Sequence, residues 1–209
     1  MVDQLKSHIP LITEEQIKQF QLLIEVYPEI NEMVNLISRK DIDKLFERHI
    51  LHSIALHKYH TFKEGHKVVD IGTGGGFPGI PLAILNPQTQ FVLVDSIGKK
   101  IKAVNELIHV LELKNTTAIN DRVENLPIKF DMAIARAVSQ SNKLFGWMKH
   151  KWVKKPHLLL LKGGDLTEEI TLLRQSVIGK LNVQQFPLAK YFSDEFYESK
   201  KIVEITRLG

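Results

Sequence analysis

The chain has 209 residues, of which 44% are hydrophobic and 25% charged, the balance of an ordinary globular domain with its own core. It contains no cysteine, which excludes disulfides, thiolate metal sites and a cysteine nucleophile. No apolar run approaches the roughly 20 residues of a membrane-spanning helix, and no signal-peptide core follows the N-terminus. We therefore expect a cytoplasmic protein without membrane contact, whose net charge of +4 permits an anionic partner without requiring one.

The first 60 residues are predicted to be helical. Thr13 suits a helix cap, and the apolar residues after it recur at three- and four-residue spacing up to Tyr27. Pro28 is expected to interrupt this helix, and Asp41 to cap a later one over 42–59. We expect residues 1–60 to form a helical extension packed on the same domain as residues 61–209.

Four histidines mark the second of these helices. His49 and His52 are three residues apart, as are His57 and His60, so each pair shares a helix face. Spacing alone allows a metal site, but no acid or cysteine nearby completes a ligand set. No metal is therefore predicted, and a solvated or ligand-lining face is the favoured interpretation.

Short apolar runs alternate with helical segments through the middle of the chain. The predicted strands are 67–71, 90–94, 116–120, 132–135 and 158–161; the predicted helices are 77–86, 98–113, 141–154 and 166–179; two closing strands are 182–188 and 201–207. Such alternation predicts a parallel sheet with helices on both faces. Ligands of these sheets bind beyond the carboxyl ends of the strands.

A glycine-rich turn follows the first of these strands, and a helix follows the turn. Strand, glycine turn and helix form the opening of a nucleotide-binding βαβ unit. Residues 74–79 fit the dinucleotide pattern G-x-G-x-x-G. Asp70 favours a ligand with a cationic amino group instead, because its carboxylate would repel a pyrophosphate. Asp95 ends the next strand, where an acid can accept both ribose hydroxyls of either kind of ligand.

The spacing Asp70-x-Gly72-x-Gly74-x-Gly76 resembles motif I of class I S-adenosylmethionine-dependent methyltransferases. Longer blocks resemble one family of them: GTGGGFPGIPLAI, VDSIGKKIKAV, DRVENL, FDMAIARAVSQ and LLLLKGG, with NLISR and RHILHS before them. These are similar to the RsmG (GidB) family, which methylates N7 of a guanine in 16S ribosomal RNA. The family usually carries Asp where this chain has His52.

The resemblance implies a class I methyltransferase fold, Rossmann-like with a mostly parallel seven-stranded sheet. It also implies S-adenosylmethionine as cofactor and 16S ribosomal RNA or the small ribosomal subunit as partner. We expect the chain to be a monomer. Two alternatives remain open: a methyltransferase of a small molecule, and a non-catalytic protein that binds S-adenosylmethionine or a nucleotide.

The expected site residues follow the predicted strands on the ligand side of the sheet. The cofactor-binding set is Asp70, Gly72, Gly74, Gly76, Phe77, Asp95, Val123, Glu124 and Arg136. Arg122 and Arg136 are the expected catalytic residues, although Arg122 would be merely structural if it paired with Glu124 or Asp131. The RNA contacts expected are Arg39, Lys40, Arg48 and Lys162, and the basic run Lys149, Lys151, Lys154 and Lys155 is a further candidate.

The residues also restrict the nucleophile. Covalent attack for methylation at pyrimidine C5 needs a cysteine, and the Asp/Asn-Pro-Pro-Tyr/Phe tetrapeptide typical of adenine amino methylation does not occur. Guanine N7 carries a free lone pair and needs no proton removed. The fourth strand ends in Arg136 rather than in an acid or a histidine, which suits an enzyme that does not need a general base.

Overall fold

A seven-stranded sheet forms the centre of the protein, in a computed structural model that describes residues 1–207. The strands are β1 (Lys67–Ile71), β2 (Gln90–Asp95), β3 (Thr116–Asn120), β4 (Met132–Arg136), β5 (His157–Gly163), β6 (Leu181–Pro187) and β7 (Lys200–Arg207). They lie in the order β3-β2-β1-β4-β5-β7-β6, and β7 runs antiparallel to both of its neighbours. The predicted mostly parallel sheet is confirmed.

Helices cover both faces of this sheet. They are α1 (Val2–His8), α2 (Glu14–Val34), α3 (His52–Tyr59), α4 (Gly79–Leu85), α5 (Gly98–Val110), α6 (Ser141–Trp147) and α7 (Thr167–Ser176). One apolar core joins α2, α3, α4 and α5 to the sheet, and a second joins α6 and α7 to its other face. Within residues 1–207, no helix has both the length and the apolarity needed to cross a bilayer.

The central strands are almost uniformly apolar because both of their faces are covered. Residues 158–161 of β5 are all leucine and all buried, and residues 68–71 of β1 are buried as well. Continuous rather than alternating apolar runs are typical of parallel strands between two helical layers. This is why the sequence located the strands to within two residues.

Helix α2 differs from the prediction at Pro28, which lies inside the helix rather than interrupting it. The helix begins with a capping box, in which Thr13 and Gln16 each accept from the other's backbone N–H. Tyr27 and Ile30 are buried on either side of the proline. Packing on both sides of the interruption keeps the helix continuous, although proline removes one backbone hydrogen bond.

The segment between α2 and α3 is also less regular than predicted. Residues Arg39–Lys44 form a 3₁₀ helix and Phe46–Leu51 a wider π-helical turn before α3 begins. Ser38 caps the 3₁₀ helix, and Asp41 does not cap. The Asp41 carboxylate instead pairs with the Arg48 guanidinium at 2.7 Å.

Residues 1–60 pack against the same core as the sheet. Phe20 and Leu23 of α2 are fully buried in the cluster that holds Leu82 of α4 and Leu107 of α5. The Gln16 side chain also donates to the backbone carbonyl of Ile84 at 3.0 Å. The N-terminal helices are thus in direct contact with the elements that follow β1 and β2.

Helix α6 is shorter than predicted, and this moves the basic run that follows it. The predicted helix over 141–154 ends at Trp147, because the backbones of Lys151 and Val153 bond the N–H and the carbonyl of Phe130. Phe130 precedes β4, so this segment lies at the amino edge of the sheet. Lys151, Lys154 and Lys155 therefore lie away from the carboxyl edge, contrary to the interpretation that they flank a ligand site.

Candidate functional site

A cavity of about 850 Å³ opens at the carboxyl edge of the sheet. Its walls come from the segments that follow β1, β2, β3 and β4, together with residues of the N-terminal region and the end of β5. Parallel strands bring these chain-distant segments together, because all of their carboxyl ends reach the same edge. The cavity volume lies within the usual range for pockets that bind small molecules.

The glycine-rich turn forms one wall with its backbone. Gly72 and Gly74 have φ angles of +63° and +58°, which favour glycine. A Cβ at position 72 would lie 2.7 Å from Val138, so that position is closed to any side chain. A Cβ at position 74 would meet only a backbone oxygen at 3.9 Å, and its side chain would extend into the cavity. Gly76 packs against Ile80 and does not line the cavity.

Asp70, predicted as a cofactor-binding residue, lies buried beneath this turn and not on the cavity wall. Its side chain is fully buried, and Oδ2 accepts from the Thr73 hydroxyl at 2.6 Å and the Gly79 N–H at 2.9 Å. Oδ1 is buried without a hydrogen-bond partner. Burial raises the pKa of Asp70 to about 6. The carboxylate is used to shape the turn, which places the amides that face the cavity.

Asp95 lies on the cavity wall at the end of β2, as predicted. Its Oδ2 accepts from the Gly74 N–H at 2.9 Å, and its Oδ1 accepts from the Ile97 N–H at 2.9 Å. A carboxylate has about four lone-pair sites, so each oxygen retains capacity for a further donor. Asp95 both ties the glycine turn to β2 and presents acceptors to a ligand.

Tyr27 is a site residue that sequence reasoning missed. It comes from α2, is fully buried, and donates its hydroxyl to the carbonyl of Gly75 at 3.1 Å. A Cβ on Gly75 would collide with this hydroxyl. No local pattern in the sequence marks this contact, because Tyr27 resembles any other apolar residue of an amphipathic helix.

Arg136 ends β4 and lines the cavity. Its Nη2 lies 2.9 Å from His49 Nδ1, and its Nη1 donates to the carbonyl of Arg48 at 3.3 Å. The guanidinium carbon lies 5.2 Å from the centre of the Phe77 ring, a cation–π distance. Three partners of different chemistry thus fix the plane of the guanidinium.

The histidine beside Arg136 is neutral. Burial first, and the charge of Arg136 second, lower the pKa of His49 to about 3. A guanidinium can only donate, so Nδ1 of the neutral His49 ring accepts this hydrogen bond and the ring proton lies on Nε2. His52, on the same wall, is buried as well, and burial lowers its pKa to about 3. Both rings line the cavity, whereas His57 lies away from it and bonds Asn86.

The turn after β3 supplies the opposite wall. Arg122, Val123 and Glu124 line the cavity, with Val123 buried and Arg122 exposed. No ion pair joins Arg122 to another of residues 1–207, and Asp131 accepts from the backbone of Lys67 instead. The structural alternative for Arg122 therefore has no support in the part of the chain described.

The four expected RNA contacts separate into three environments. Arg39 and Lys40 are exposed on the 3₁₀ helix outside the cavity, and Arg48 lines it while pairing with Asp41. Lys162 lines the cavity as well, and its ammonium lies 2.7 Å from Glu169 and 2.6 Å from the carbonyl of Ser139, with 12% of the side chain exposed. These partners hold the ammonium against the protein, and a contact of Lys162 with RNA stays a prediction.

Two further lysines of the rim were not predicted. Lys100 follows β2 in α5, and Lys200 begins β7, with its ammonium 4.9 Å above the Phe196 ring. Lys100 belongs to the polar face of an amphipathic helix, and Lys200 to a strand predicted to begin one residue later. Neither had a signal in the sequence that separated it from an ordinary surface lysine.

Comparison with known proteins extends these observations. The family model GidB, described as rRNA small subunit methyltransferase G, matches residues 16–193. A protein of Christiangramia forsetii named ribosomal RNA small subunit methyltransferase G is 45% identical, over 97% of this chain and 95% of its own. One of Flavobacterium johnsoniae with the same name is 44% identical, over 98% and 97%.

Solved structures show the same fold at low sequence identity. A SAM-dependent methyltransferase of Aquifex aeolicus superposes with a TM-score of 0.60 at 18% identity, covering 82% of this chain and 100% of that one. A putative rRNA-methylase of Clostridium thermocellum gives a TM-score of 0.56 at 18% identity, covering 78% and 97%. The family match spans most of the residues that form the cavity. The chain belongs to the GidB family of small-subunit ribosomal RNA methyltransferases.

Proposed function

We propose that this protein transfers the methyl group of S-adenosylmethionine to N7 of a guanine in 16S ribosomal RNA. The observation that carries the proposal is the single cavity that joins the glycine turn, Asp95 and Arg136 at the carboxyl edge of a class I methyltransferase sheet. The family supplies the substrate class. Guanine N7 comes from the resemblance of the sequence blocks.

The cavity suits the cofactor in both shape and chemistry. Gly72, Gly74 and Gly75 offer backbone instead of side chains, so a ligand can approach them closely, and the Thr73 hydroxyl is bonded to Asp70. Asp95 would accept the ribose hydroxyls, and Val123 and Glu124 would flank the adenine. Once bound, S-adenosylmethionine supplies a methyl group already activated by the positive charge of its sulfonium.

The remaining work of the protein is to hold the target base in line with that methyl group. Arg136, fixed by His49, Arg48 and Phe77, has a planar fork of donors that suits the O6 atom of guanine or a neighbouring phosphate. His49 is a weak base, because its pKa is lowered to about 3. That environment suits N7, which needs no proton removed, better than an amino group.

The charges around the opening favour RNA over a small molecule. Arg48, Lys100, Arg122 and Lys200 line the cavity, and Arg39 and Lys40 are exposed beyond it. A small methyl acceptor has no use for cations distributed around a rim, whereas a polynucleotide contacts several of them at once. The proposal includes action as a monomer, and the substrate supports a cytoplasmic location.

The test is the modification state of ribosomal RNA in cells that lack the protein. Mass spectrometry of 16S nucleosides should lose one 7-methylguanosine, and the wild-type gene should restore it. Purified protein with naked 16S RNA and with small subunits as separate substrates then identifies the form that is methylated. Unchanged 7-methylguanosine in the deletion strain, together with methylation of a small molecule, would favour the alternative class.

A further inference from the structure

Three metal-ligating side chains meet at the amino edge of the sheet. His60 follows α3, His157 begins β5 and Glu204 lies on β7. Their ligand atoms all lie within 4.8 Å of one another. His157 and Leu161, a residue of the cavity wall, are separated by about 13 Å at the usual rise of a strand. The cluster is therefore distinct from the cavity, and none of its members lines it.

The cluster is organised and accessible. His157 Nε2 lies 2.7 Å from Glu204 Oε1, and the other carboxylate oxygen accepts from the Tyr59 hydroxyl at 2.7 Å. The His60 ring meets the His157 ring edge-on, with centroids 5.2 Å apart. The side chains of His157 and Glu204 are 24% and 17% exposed, so an ion from solvent can reach them.

The chemistry of these groups matches that of a transition metal site. Two imidazole nitrogens and one carboxylate oxygen form a common three-residue ligand set for Zn²⁺, with water in the fourth position. Tyr59 orients the carboxylate as outer-sphere partners of metal ligands do.

We propose that His60, His157 and Glu204 bind a divalent transition metal ion, with Zn²⁺ as the best match. The ion replaces the direct hydrogen bond between His157 and Glu204 and takes one atom from each residue. Tetrahedral bonds of about 2.0–2.1 Å place ligand atoms about 3.3 Å apart. The farthest atoms, now within 4.8 Å, approach by up to about 1.5 Å, which rotation of the half-buried His60 ring provides.

The three ligands come from parts of the chain that are remote in sequence, and this gives the ion a role. It would fasten the end of α3, where the N-terminal helices meet the first loop of the sheet domain, to strands β5 and β7. An ion that binds only the folded chain stabilises it by mass action. In the sequence, His60 shares a helix face with His57, and no acid lies nearby. In the fold, Glu204 of β7 provides that acid.

The experiment uses the tag-free full chain, freed of metal by a chelator. Titration calorimetry with ZnCl₂ should give one ion per chain, CoCl₂ should give the strong visible absorption of four-coordinate cobalt, and Zn²⁺ should raise the melting temperature. Mg²⁺ should do none of these, because it prefers oxygen ligands in octahedral geometry.

Two variants remove ligands while preserving their neighbours' contacts. His60→Phe keeps an aromatic ring against Phe62, and Glu204→Gln keeps an acceptor for Tyr59. Each should weaken Zn²⁺ binding at least tenfold and remove the cobalt absorption. His150→Asn is the matched control, because it changes an exposed histidine that is not part of the cluster. Its binding of Zn²⁺ should equal that of the wild-type chain.

Three results would overturn the proposal. They are the absence of Zn²⁺ binding by the wild-type chain, equal binding by His60→Phe or Glu204→Gln, and an equal loss in the His150→Asn control. Circular dichroism of each metal-free variant verifies folding. If His60→Phe does not fold, His157→Gln takes its place in the same comparison.

Discussion

The two halves of the cavity are built in different ways. The glycine half, formed by residues 72–75, Asp95 and Val123, is held by backbone amides that bond carboxylates at the strand ends. The arginine half, formed by Arg136 and the turn containing Arg48 and His49, is held by side-chain contacts between β4 and the N-terminal region. The glycine half comes from the ends of three successive strands, β1, β2 and β3, and the arginine half depends on contacts between β4 and the N-terminal region.

The difference separates two tasks. A wall of backbone groups tolerates little change of conformation, which suits a fixed ligand common to a large fold class. A wall of side chains changes with a single substitution, which suits a substrate particular to one family. We therefore expect substitutions in the glycine half to affect cofactor binding, and those in the arginine half to affect methyl transfer at saturating cofactor.

Arg136→Ala gives the largest effect in the arginine half. Methyl transfer to 16S RNA should fall by at least about 10²-fold, because the group that orients the base is lost, while the chain stays folded. Arg136→Lys should restore only part of the rate, since an ammonium cannot reproduce the planar fork. Initial rates and circular dichroism provide the measurement.

Arg174→Ala, at an exposed position of α7, is the matched control for that loss and should leave the rate unchanged. A well-folded Arg136→Ala variant that methylates RNA at the wild-type rate would contradict the role of the arginine half.

Gly74→Val tests the glycine half. Its side chain would enter the cavity, and its φ of +58° is unfavourable for a branched residue, so binding of S-adenosylmethionine should be lost. Gly65→Val has the same kind of strain, with φ of +70° and open space around it, but lies outside the cavity. Calorimetry should show that Gly65→Val binds S-adenosylmethionine and that Gly74→Val does not. Binding by both variants would mean that the turn does not contact the cofactor.

Asp70 gives the glycine half a pH dependence. Its pKa is about 6 in the folded chain and 3.8 in the reference state, so the folded chain holds the proton more tightly. The stabilisation from that proton is complete below about pH 4 and is lost as the pH rises through 6, a change of roughly 3 kcal/mol in the free energy of unfolding.

Asp70→Asn removes this titration while keeping the shape of the side chain. Denaturant unfolding between pH 4 and 7 should show wild-type stability falling relative to that of the variant up to about pH 6, with a constant difference above it. Parallel curves across the whole range would show that Asp70 has an ordinary pKa.

Asp95→Ala should weaken cofactor binding by roughly 1–3 kcal/mol, the range for losing a charge-assisted hydrogen bond. The melting temperature should change little, because Asp95 is half-exposed and water can replace it at the Gly74 amide. If the variant is stable and calorimetry finds its affinity for the cofactor unaltered, then Asp95 only connects β2 to the glycine turn.

The smallest effects are expected from substitutions of the predicted RNA-contacting cations. Arg39→Ala should weaken RNA binding and lower the slope of log affinity against log salt by about 1, because one phosphate contact is lost. Lys162→Ala should leave that slope unchanged and lower the melting temperature, since Lys162 pairs with Glu169 inside the protein. A reduced slope in Lys162→Ala would restore it as an RNA contact.

The site residues that the sequence predicts also differ in kind from those that it does not predict. Gly72, Gly74 and Asp95 were predicted, because a strand, a glycine turn and an acid at the next strand end form a local pattern. Tyr27 was missed, and the pairing of Lys162 with Glu169 was not foreseen, because each depends on a partner that only the fold brings near. Asp70 lay between these cases: its place under the turn was predictable, but the direction of its carboxylate was not.

The strands were predicted well because burial on both faces leaves long apolar runs. The helical segments were predicted less well where tertiary contacts overrode local preference. Pro28 stays within α2, and α6 ends at Trp147 because the following backbone pairs with Phe130. Both differences arise from contacts that no local window of sequence contains.

The antiparallel strand β7 has a consequence for how the protein is synthesised. It lies between β5 and β6 although it follows both in the chain. During translation, β5 therefore waits as an open sheet edge until residues 200–207 leave the ribosome, and an open edge is prone to pair with other chains. Strand β7 also carries Lys200 of the cavity rim and Glu204 of the cluster formed with His60 and His157. A nascent chain stopped before it would thus leave the edge of β5 uncovered, and would lack Lys200 of the cavity rim and one of the three residues of the cluster.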